Sequence, residues 1–244
     1  MEFNRMRHLL SCTRRAVDDF NMIEEGDRIC VGLSGGKDSV ALLYALVNLK
    51  MFYPKKFELS AVSISMGFED MDFSPIERLC AELGVPYMVK QTQLAHIIFD
   101  VRKESNPCSL CAKMRRGLLH DAAKEMGCNK VALGHHFDDL VETFMLNLFN
   151  EGRLGGFYPV TYMSRKNITV IRPLIYAYEK DIRYFVSGND VPIVKNPCPE
   201  DGHTEREKMK QFIASLEREN KGLKHRIFLA MKKDGLLVQK EYFD

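Results

Sequence analysis

The chain has 244 residues, of which 45% are hydrophobic and 28% are charged, and its formal net charge is +2. These proportions are typical of a globular protein and exclude a disordered chain, a collagen and a small disulfide-dense scaffold. A chain of this length buries enough surface on folding to need no disulfide or metal staple.

The apolar pattern predicts strands and helices that alternate along the chain. Strands separated by helical segments of this length imply βαβ units. We therefore predict an α/β, Rossmann-like fold with a parallel sheet, helices on both faces and ligands bound beyond the carboxyl ends of the strands. In chain order, the predicted elements are a helix over 5–20, a strand over 27–33, a helix over 38–48, a strand over 57–65, a helix over 74–83, a strand over 87–90, a helix over 111–126, a strand over 130–133, a helix over 138–150, a strand over 168–171, a helix over 179–188 and a charged helical tail over 205–233.

The two ends of the chain lie outside this alternation and are basic. Residues 1–15 carry four Arg against one Glu, and residues 203–240 carry ten Lys and Arg against five Asp and Glu. Such ends are either two solvated helical faces or a footprint for the phosphate backbone of a nucleic acid. We expect a helical N-terminal arm over 1–26, a central domain over 27–200 and a helical C-terminal tail over 201–244.

The first motif is a dense run of small and polar residues, Ser34-Gly-Gly-Lys-Asp-Ser39, which we call the first loop. It follows a predicted strand and opens a helix, a place where backbone N–H groups bind anions. It is not a Walker-type P-loop, because Val31 stands where that motif has its first glycine and Asp38 where it has Ser or Thr. An ordinary turn between a strand and a helix is the alternative.

The residue types of the first loop suit a pyrophosphate group. Gly35 and Gly36 let the backbone approach the phosphates, Ser34 and Ser39 supply hydroxyl donors, and Lys37 offsets developing negative charge. A carboxylate at position 38 would repel phosphate directly. We therefore expect it to act on the geometry of the loop or through a Mg²⁺ ion.

Three cysteines form a second candidate site. Cys108 and Cys111 make a C-x-x-C pair at the start of a helix, a pattern found in redox, zinc and iron–sulfur sites. Cys198 lies in an Asn-Pro-Cys-Pro turn, where a buried packing role is not expected. Three thiolates on a cubane leave one iron open for reaction, whereas three thiolates with His203 would make a closed zinc site.

A further loop, Gly134-His-His-Phe-Asp-Asp139, runs from a buried strand into a helix, and we call it the second loop. Asp138 and Asp139 would hold Mg²⁺ or position a nucleophile beside a nucleotide. The alternative is that the carboxylates are helix caps and that His135 and His136 are hydrogen-bonded turn residues.

The chain shows no secretion or membrane signal. An uncharged stretch over 39–49 has 11 residues, fewer than the roughly 18 that a membrane span requires. We therefore expect a cytoplasmic protein without a membrane partner, in which thiols stay reduced. Seven cysteines, an odd number, also fit poorly with a disulfide framework, and Cys30 and Cys80 lie in apolar elements as core thiols.

Taken together and in order, these motifs resemble a known family. The first loop is similar to the S-G-G-x-D-S loop of the PP-loop ATP pyrophosphatases, which cleave ATP between the α- and β-phosphates and adenylate a substrate. With the C-x-x-C pair, the arginines behind it, the second loop and Arg172-Pro-Leu174, the chain resembles the tRNA 2-thiocytidine synthetase family. The resemblance extends over nearly the whole length.

The resemblance implies ATP, Mg²⁺ and a [4Fe–4S] cluster as cofactors, and thiolation of an anticodon-loop cytidine in tRNA. It also implies a homodimer and a sulfur donor, either a cysteine desulfurase system or sulfide. The resemblance implies Cys108, Cys111 and Cys198 as the cluster ligands. Our own hypothesis for the other site residues is, for ATP, Ser34, Gly35, Gly36, Lys37, Asp38, Ser39, Ile64, Gly134 and His135, and, for catalysis, Asp139, Asp138 and Arg115.

One position departs from the family pattern. Members often carry a further cysteine three positions after the third cluster ligand, and Asp201 stands there in this chain. This departure bears on sulfur delivery and on which pyrimidine is the substrate. The alternatives are a related enzyme acting on another pyrimidine, by 2-thiouridine formation or thiouracil desulfuration, and a zinc-stapled RNA-binding module.

Overall fold

The computed structural model describes residues 3–68, 71–102, 107–194, 197–198 and 204–239, with side chains from residue 6 onward. Asp201 and His203 lie outside the described residues. The helices are α1 (Phe3–Asp19), α2 (Lys37–Lys50), α3 (Ser74–Glu82), α4 (Pro107–Glu125), α5 (Phe137–Glu151), α6 (Glu179–Ser187), α7 (Glu205–Glu219) and α8 (Leu223–Lys233), and the strands are β1 (Asp27–Gly32), β2 (Phe57–Ile64), β3 (Tyr87–Lys90), β4 (Lys130–Ala132), β5 (Val160–Met163) and β6 (Ile168–Ile171).

The strands form a six-stranded sheet in the order β3-β2-β1-β4-β6-β5. Four of the five neighbouring pairs are parallel, which confirms the Rossmann-like fold class. The edge strand β5 was not predicted, and it pairs antiparallel with β6. The connection between β5 and β6 is only residues 164–167. A connection this short can join only antiparallel strands, because parallel strands need a long crossover.

Both faces of the sheet are buried, as the alternating pattern predicted. In β1, Ile29 and Val31 point to the larger core, whereas Cys30 points to the opposite face. The larger core receives side chains from α1, α2, α3, α5 and α6, and the smaller one lies under α4. The predicted core thiols Cys30 and Cys80 are both fully buried.

The strand order places two loops side by side. The chain leaves β1 toward β2 and β3 on one side of the sheet and continues through β4 and β6 on the other. β1 and β4 are neighbours, with Val31 opposite Ala132. The loops that follow these two strands therefore meet at the carboxyl edge, where open α/β sheets bind ligands.

The helices near the two ends of the chain, α1, α7 and α8, contribute side chains to the larger core. The apolar face of α1, which includes Leu9, Ala16 and Val17, is fully buried in the larger core. The charged tail is two helices, since α7 ends at Glu219 and α8 begins after Gly222, its N-cap, which has a φ of +82°. Ile213 of α7 and Phe228 of α8 are buried in the same core. Within the described residues, no helix combines the length and the apolar character needed to cross a bilayer.

Candidate active site

The first loop bends through hydrogen bonds among its own serines and glycines. The Ser39 hydroxyl donates to the Gly36 carbonyl at 2.9 Å, and the Gly36 N–H donates to the Ser34 hydroxyl oxygen at 3.3 Å. The Ser34 N–H also donates to the Ser39 hydroxyl oxygen at 3.2 Å. Gly36 is the N-cap of α2 and lacks a capping side chain. The loop therefore leaves the positive end of α2 without a capping side chain, a geometry that suits an anion.

Gly35 is needed for the close approach of a second segment. Its φ is +82°, and a Cβ at this position would lie 2.6 Å from the Cβ of Val194. The Val194 N–H donates to the Gly35 carbonyl at 2.9 Å. This hydrogen bond ties the first loop to the segment that leads toward Cys198.

The second loop lies against the first. A Cβ on Gly134 would lie 2.9 Å from the backbone carbonyl of Asp38, so only glycine permits this contact. His136 is the N-cap of α5 and forms a capping box with Asp139, whose carboxylate accepts from the His136 N–H at 3.0 Å. Asp139 therefore does take part in capping α5, which was the alternative interpretation of the sequence.

The two predicted carboxylates differ in their surroundings. Asp138 is buried, and its two oxygens accept from the Glu179 N–H and from Lys224 Nζ, each at 2.7 Å. It therefore links α5 to α6 and α8. The second oxygen of Asp139 contacts Arg206 Nη1 at 3.2 Å. Burial would raise the pKa of Asp139, but His136 and His135 outweigh it and hold the carboxyl pKa below its ordinary value.

His135 lies on a buried arginine. Arg172 Nε donates to His135 Nδ1 at 3.2 Å, and both groups lie against the ring of Phe157. Burial and the neighbouring Arg172 guanidinium lower the pKa of His135 to about 3. The imidazole is therefore neutral at physiological pH, accepts through Nδ1 and keeps Nε2–H as a donor.

A cavity of about 350 Å³ lies where the two loops meet the starts of α6 and α7. The sequence did not predict the lining residues that come from outside the two loops, because they are distant in the chain and carry no motif of their own. Glu142 alone had a local signal, since it follows Asp139 by three positions on one helix face. The residues that line the cavity are Lys37, Asp38, His136, Asp139, Glu142, Glu179, Thr204, Arg206, Glu207 and Lys210.

Charged groups in this cavity are strongly coupled. The carboxylate of Glu179 contacts Lys37 Nζ at 3.1 Å and Lys210 Nζ at 2.8 Å. Burial would raise its pKa, but Lys210 and Arg183, with Lys37, hold the pKa well below its ordinary value. For Glu142, burial and the charge of Asp139 raise the pKa to about 7.

The other predicted ATP contact, Ile64, ends β2 next to the first loop. Its side chain is buried under α4. Just beyond it, Gly67 has a φ of +85°, and a Cβ there would lie 2.6 Å from the Thr92 carbonyl. The backbone after β2 is therefore tightly held.

The three cysteines of the second candidate site are partly exposed to solvent. Cys108 is exposed in the first turn of α4, and Cys111 and Cys198 are half-buried. Burial raises the pKa of Cys111, the exposed cation of Arg115 lowers it, and the nearby thiol of Cys198 raises it. Cys198 is thus close enough to Cys111 to interact electrostatically, although it is distant in sequence. Within the described ranges, no group of three or more His, Cys, Asp or Glu side chains has the arrangement of a metal site.

This loop geometry on a parallel sheet defines a PP-loop protein, and the PP-loop domain family matches residues 9–217. The chain is 40% identical over 219 residues to the tRNA-cytidine(32) 2-sulfurtransferase of Syntrophotalea carbinolica, which covers 88% of this chain and 85% of that protein. It is 41% identical over 237 residues to the protein of that name from Geobacter metallireducens, which covers 95% and 92%. The chain therefore belongs to the tRNA-cytidine(32) 2-sulfurtransferase family.

The fold is also found among solved structures. The U34-tRNA thiolase NcsA from Methanococcus maripaludis, solved with its [4Fe–4S] cluster, superposes with a TM-score of 0.74 at 22% identity. The match covers 96% of this chain and 80% of that one. At this identity the likeness establishes the fold.

Proposed function

We propose that the protein 2-thiolates a cytidine of tRNA after activating it with ATP. The observation that carries this proposal is the hydrogen bond from Val194 to Gly35, which joins the segment leading to Cys198 to the first loop. A thiolation site needs an ATP site and a sulfur site in contact. Family membership supports the choice of tRNA cytidine as substrate.

Activation is needed because the oxygen on C2 of cytidine is a poor leaving group. In the proposed reaction this oxygen attacks the α-phosphate of ATP, and pyrophosphate leaves. Hydrosulfide then adds to C2, and the former carbonyl oxygen departs with AMP. If a cysteine desulfurase supplies persulfide, a thiol must first reduce it to hydrosulfide and is itself oxidised to a disulfide. The products are 2-thiocytidine, AMP and pyrophosphate, and the net change at C2 is replacement of one oxygen by one sulfur.

The chain contributes positioning and charge to this reaction. The first loop and the N-terminus of α2 would hold the phosphates, with Lys37 offsetting the charge that develops on pyrophosphate. Asp139, fixed by His136 and Arg206, would orient the substrate. Neutral His135 would donate a hydrogen bond through Nε2. Mg²⁺ would arrive with ATP, because this ion needs few protein ligands when phosphates bind it.

The donor chemistry of the three cysteines suits an iron–sulfur cluster, whose ligands are thiolates, while the described side chains do not yet stand in the arrangement of a metal site. Cys108, Cys111 and Cys198 offer three thiols, and the effect of the Cys198 thiol on the pKa of Cys111 supports a shared site. The cluster that NcsA contains supports the same assignment. When bound, a cluster with three thiolate ligands supplies an open iron for sulfur chemistry. Arg115 would hold negative charge beside it.

The proposed partners are tRNA and a sulfur donor, either a cysteine desulfurase system or sulfide. The exposed arginines of α1 and the exposed cations of α7 and α8 would contact the tRNA backbone. A homodimer and a cytoplasmic location complete the proposal.

Replacement of Cys108 tests the proposal. We expect Cys108→Ala, purified without oxygen, to lose the visible absorbance of the cluster and all thiolation of tRNA in vitro. Ser109→Ala, at the adjacent exposed position, is the control and should keep both. Full thiolation by Cys108→Ala would overturn the sulfur site, and stoichiometric zinc with no iron would favour the RNA-binding module.

A further inference from the structure

We propose that α7 forms half of the triphosphate site, with Arg206 and Lys210 binding the β- and γ-phosphates of ATP across the cavity from the first loop. The inference rests on the proposed use of ATP and assigns ligand contacts to a helix outside the PP-loop motif. Both side chains line the cavity together with Lys37.

Glu179 shows how these cations would share one anion. One carboxylate oxygen contacts Lys37 at 3.1 Å and the other contacts Lys210 at 2.8 Å. A bridging carboxylate offers two oxygens on one centre, as a phosphate group does. The spacing of the two ammonium groups therefore suits a phosphate bound between the first loop and α7.

Arg206 is fixed in the wall of the cavity and keeps unused N–H donors among the described contacts. Its Nη1 contacts Asp139 at 3.2 Å, and its Nη2 donates to the Thr143 hydroxyl at 3.0 Å. The Thr143 hydroxyl donates in turn to the Asp139 carbonyl at 2.7 Å, which fixes the pair. A guanidinium has five N–H donors in a planar fork that suits phosphate oxygens, and the described contacts use two of them.

The backbone around the cavity also favours an anion. Residues at the starts of α2, α5, α6 and α7 all line it, so the positive ends of four helix dipoles converge there. Carboxylates at these same positions pair with the cations. A magnesium–ATP complex offers partners to both, since phosphate oxygens bind the cations and the hydrated metal ion binds carboxylates.

Asp38 supplies an independent observation. Its side chain lines the cavity, and its buried Oδ1 has no hydrogen-bond partner among the described residues. Buried polar groups are almost always paired with protein, water or a ligand. An unpaired carboxylate oxygen in the wall of this cavity therefore indicates a ligand.

Affinity for ATP compared with AMP tests the assignment. We expect Lys210→Gln and Arg206→Gln each to weaken ATP binding about tenfold or more, measured by calorimetry in the presence of Mg²⁺, because each loses a charge-assisted contact. Binding of AMP, which lacks the β- and γ-phosphates, should change by less than about twofold. Lys208→Gln, on the exposed face of the same helix, is the matched control and should leave both affinities unchanged.

Two results would overturn the assignment. The first is unchanged ATP affinity in both variants. The second is an equal loss of ATP and AMP affinity, which would mean that the cations only anchor α7. Thermal unfolding of each variant separates loss of the fold from loss of a contact. Lys210→Gln is the cleaner of the two variants, because it leaves the Arg206–Asp139 pair in place. Failure of the unmodified protein to bind ATP would instead overturn the proposed function, and the assignment with it.

Discussion

Gly134 sets the distance between the two loops of the site. A methyl group here would lie 2.9 Å from the Asp38 backbone, and neither loop can yield without moving the start of α2 or α5. We expect Gly134→Ala to weaken ATP binding by about tenfold or more, equivalent to roughly 1.4 kcal/mol, because the first loop shifts relative to the second. Calorimetry with ATP measures this loss.

Gly117 provides the matched control. It lies inside α4, and a Cβ there meets nothing within 4 Å. Gly117→Ala should leave ATP binding unchanged and raise the free energy of unfolding by about 0.5 to 1 kcal/mol, since alanine restricts the unfolded chain and favours the helix. Equal ATP affinity in the two alanine variants would contradict the role given to Gly134.

Glu142 makes stability depend on pH. Its pKa rises from 4.5 to about 7 on folding, so the folded protein binds the proton more tightly than the unfolded chain. The free energy of unfolding should therefore fall as pH rises from about 4.5 to about 7 and level off above that range. Over this pH interval, the free energy of unfolding of the unmodified protein should fall by roughly 3 kcal/mol more than that of Glu142→Gln.

Urea unfolding at a series of pH values measures the difference. Glu151→Gln, an exposed position at the end of the same helix, should keep the slope of the unmodified protein. If Glu142→Gln keeps that slope as well, the carboxyl is not desolvated as the structure indicates.

At the scale of elements, Asp138 joins α5 to α6 and α8. Its two oxygens are both engaged, and its side chain is 8% exposed. We expect Asp138→Asn to lower the free energy of unfolding by about 1 to 3 kcal/mol, because Lys224 loses its partner in a largely buried pair. Asp121→Asn, which breaks an exposed pair with Lys166, should cost less than about 1 kcal/mol.

Chemical denaturation of both variants checks this expectation. An Asp138→Asn protein with unchanged stability and no thiolation would support the catalytic role predicted for Asp138 from the sequence. Reduced stability with residual thiolation would assign catalysis to Asp139 alone of the two carboxylates.

Local patterns predicted most elements, because buried strands and amphipathic helices leave a periodic signal. The strands at 87–90 and 168–171 agree with the structure to the residue. β5 escaped prediction because it is a four-residue edge strand whose last two residues, Tyr162 and Met163, are exposed. The break in the tail at Gly222 was also missed, since glycine alone does not distinguish a helix end from a tolerated interior position.

The site was predictable only where it is contiguous in sequence. The first and second loops are each about six adjacent residues, and together they contribute Lys37, Asp38, His136 and Asp139 to the cavity. Arg206 and Lys210 were interpreted as parts of a basic tail for tRNA, because their partners Asp139 and Glu179 are brought to them only by the packing of α7. Tertiary contacts of this kind leave no local pattern.

At the scale of the whole molecule, only part of the positive charge at the two ends of the chain lies on the surface. Part of the positive charge of the C-terminal tail turns inward to the carboxylates of the cavity, while Arg7 and Arg14 of α1 and Arg218 of α7 stay exposed. In the proposed function, these exposed cations contact the tRNA backbone. The protein thus combines a paired, half-buried charge network at the cavity with a solvated basic surface.

The most direct measurement of the central claim is nucleoside mass spectrometry of tRNA from cells with and without the gene. The proposed function predicts that 2-thiocytidine disappears when the gene is removed, returns with the unmodified gene and does not return with the Cys108→Ala gene. Persistence of 2-thiocytidine in cells without the gene, or its return with Cys108→Ala, would contradict the account.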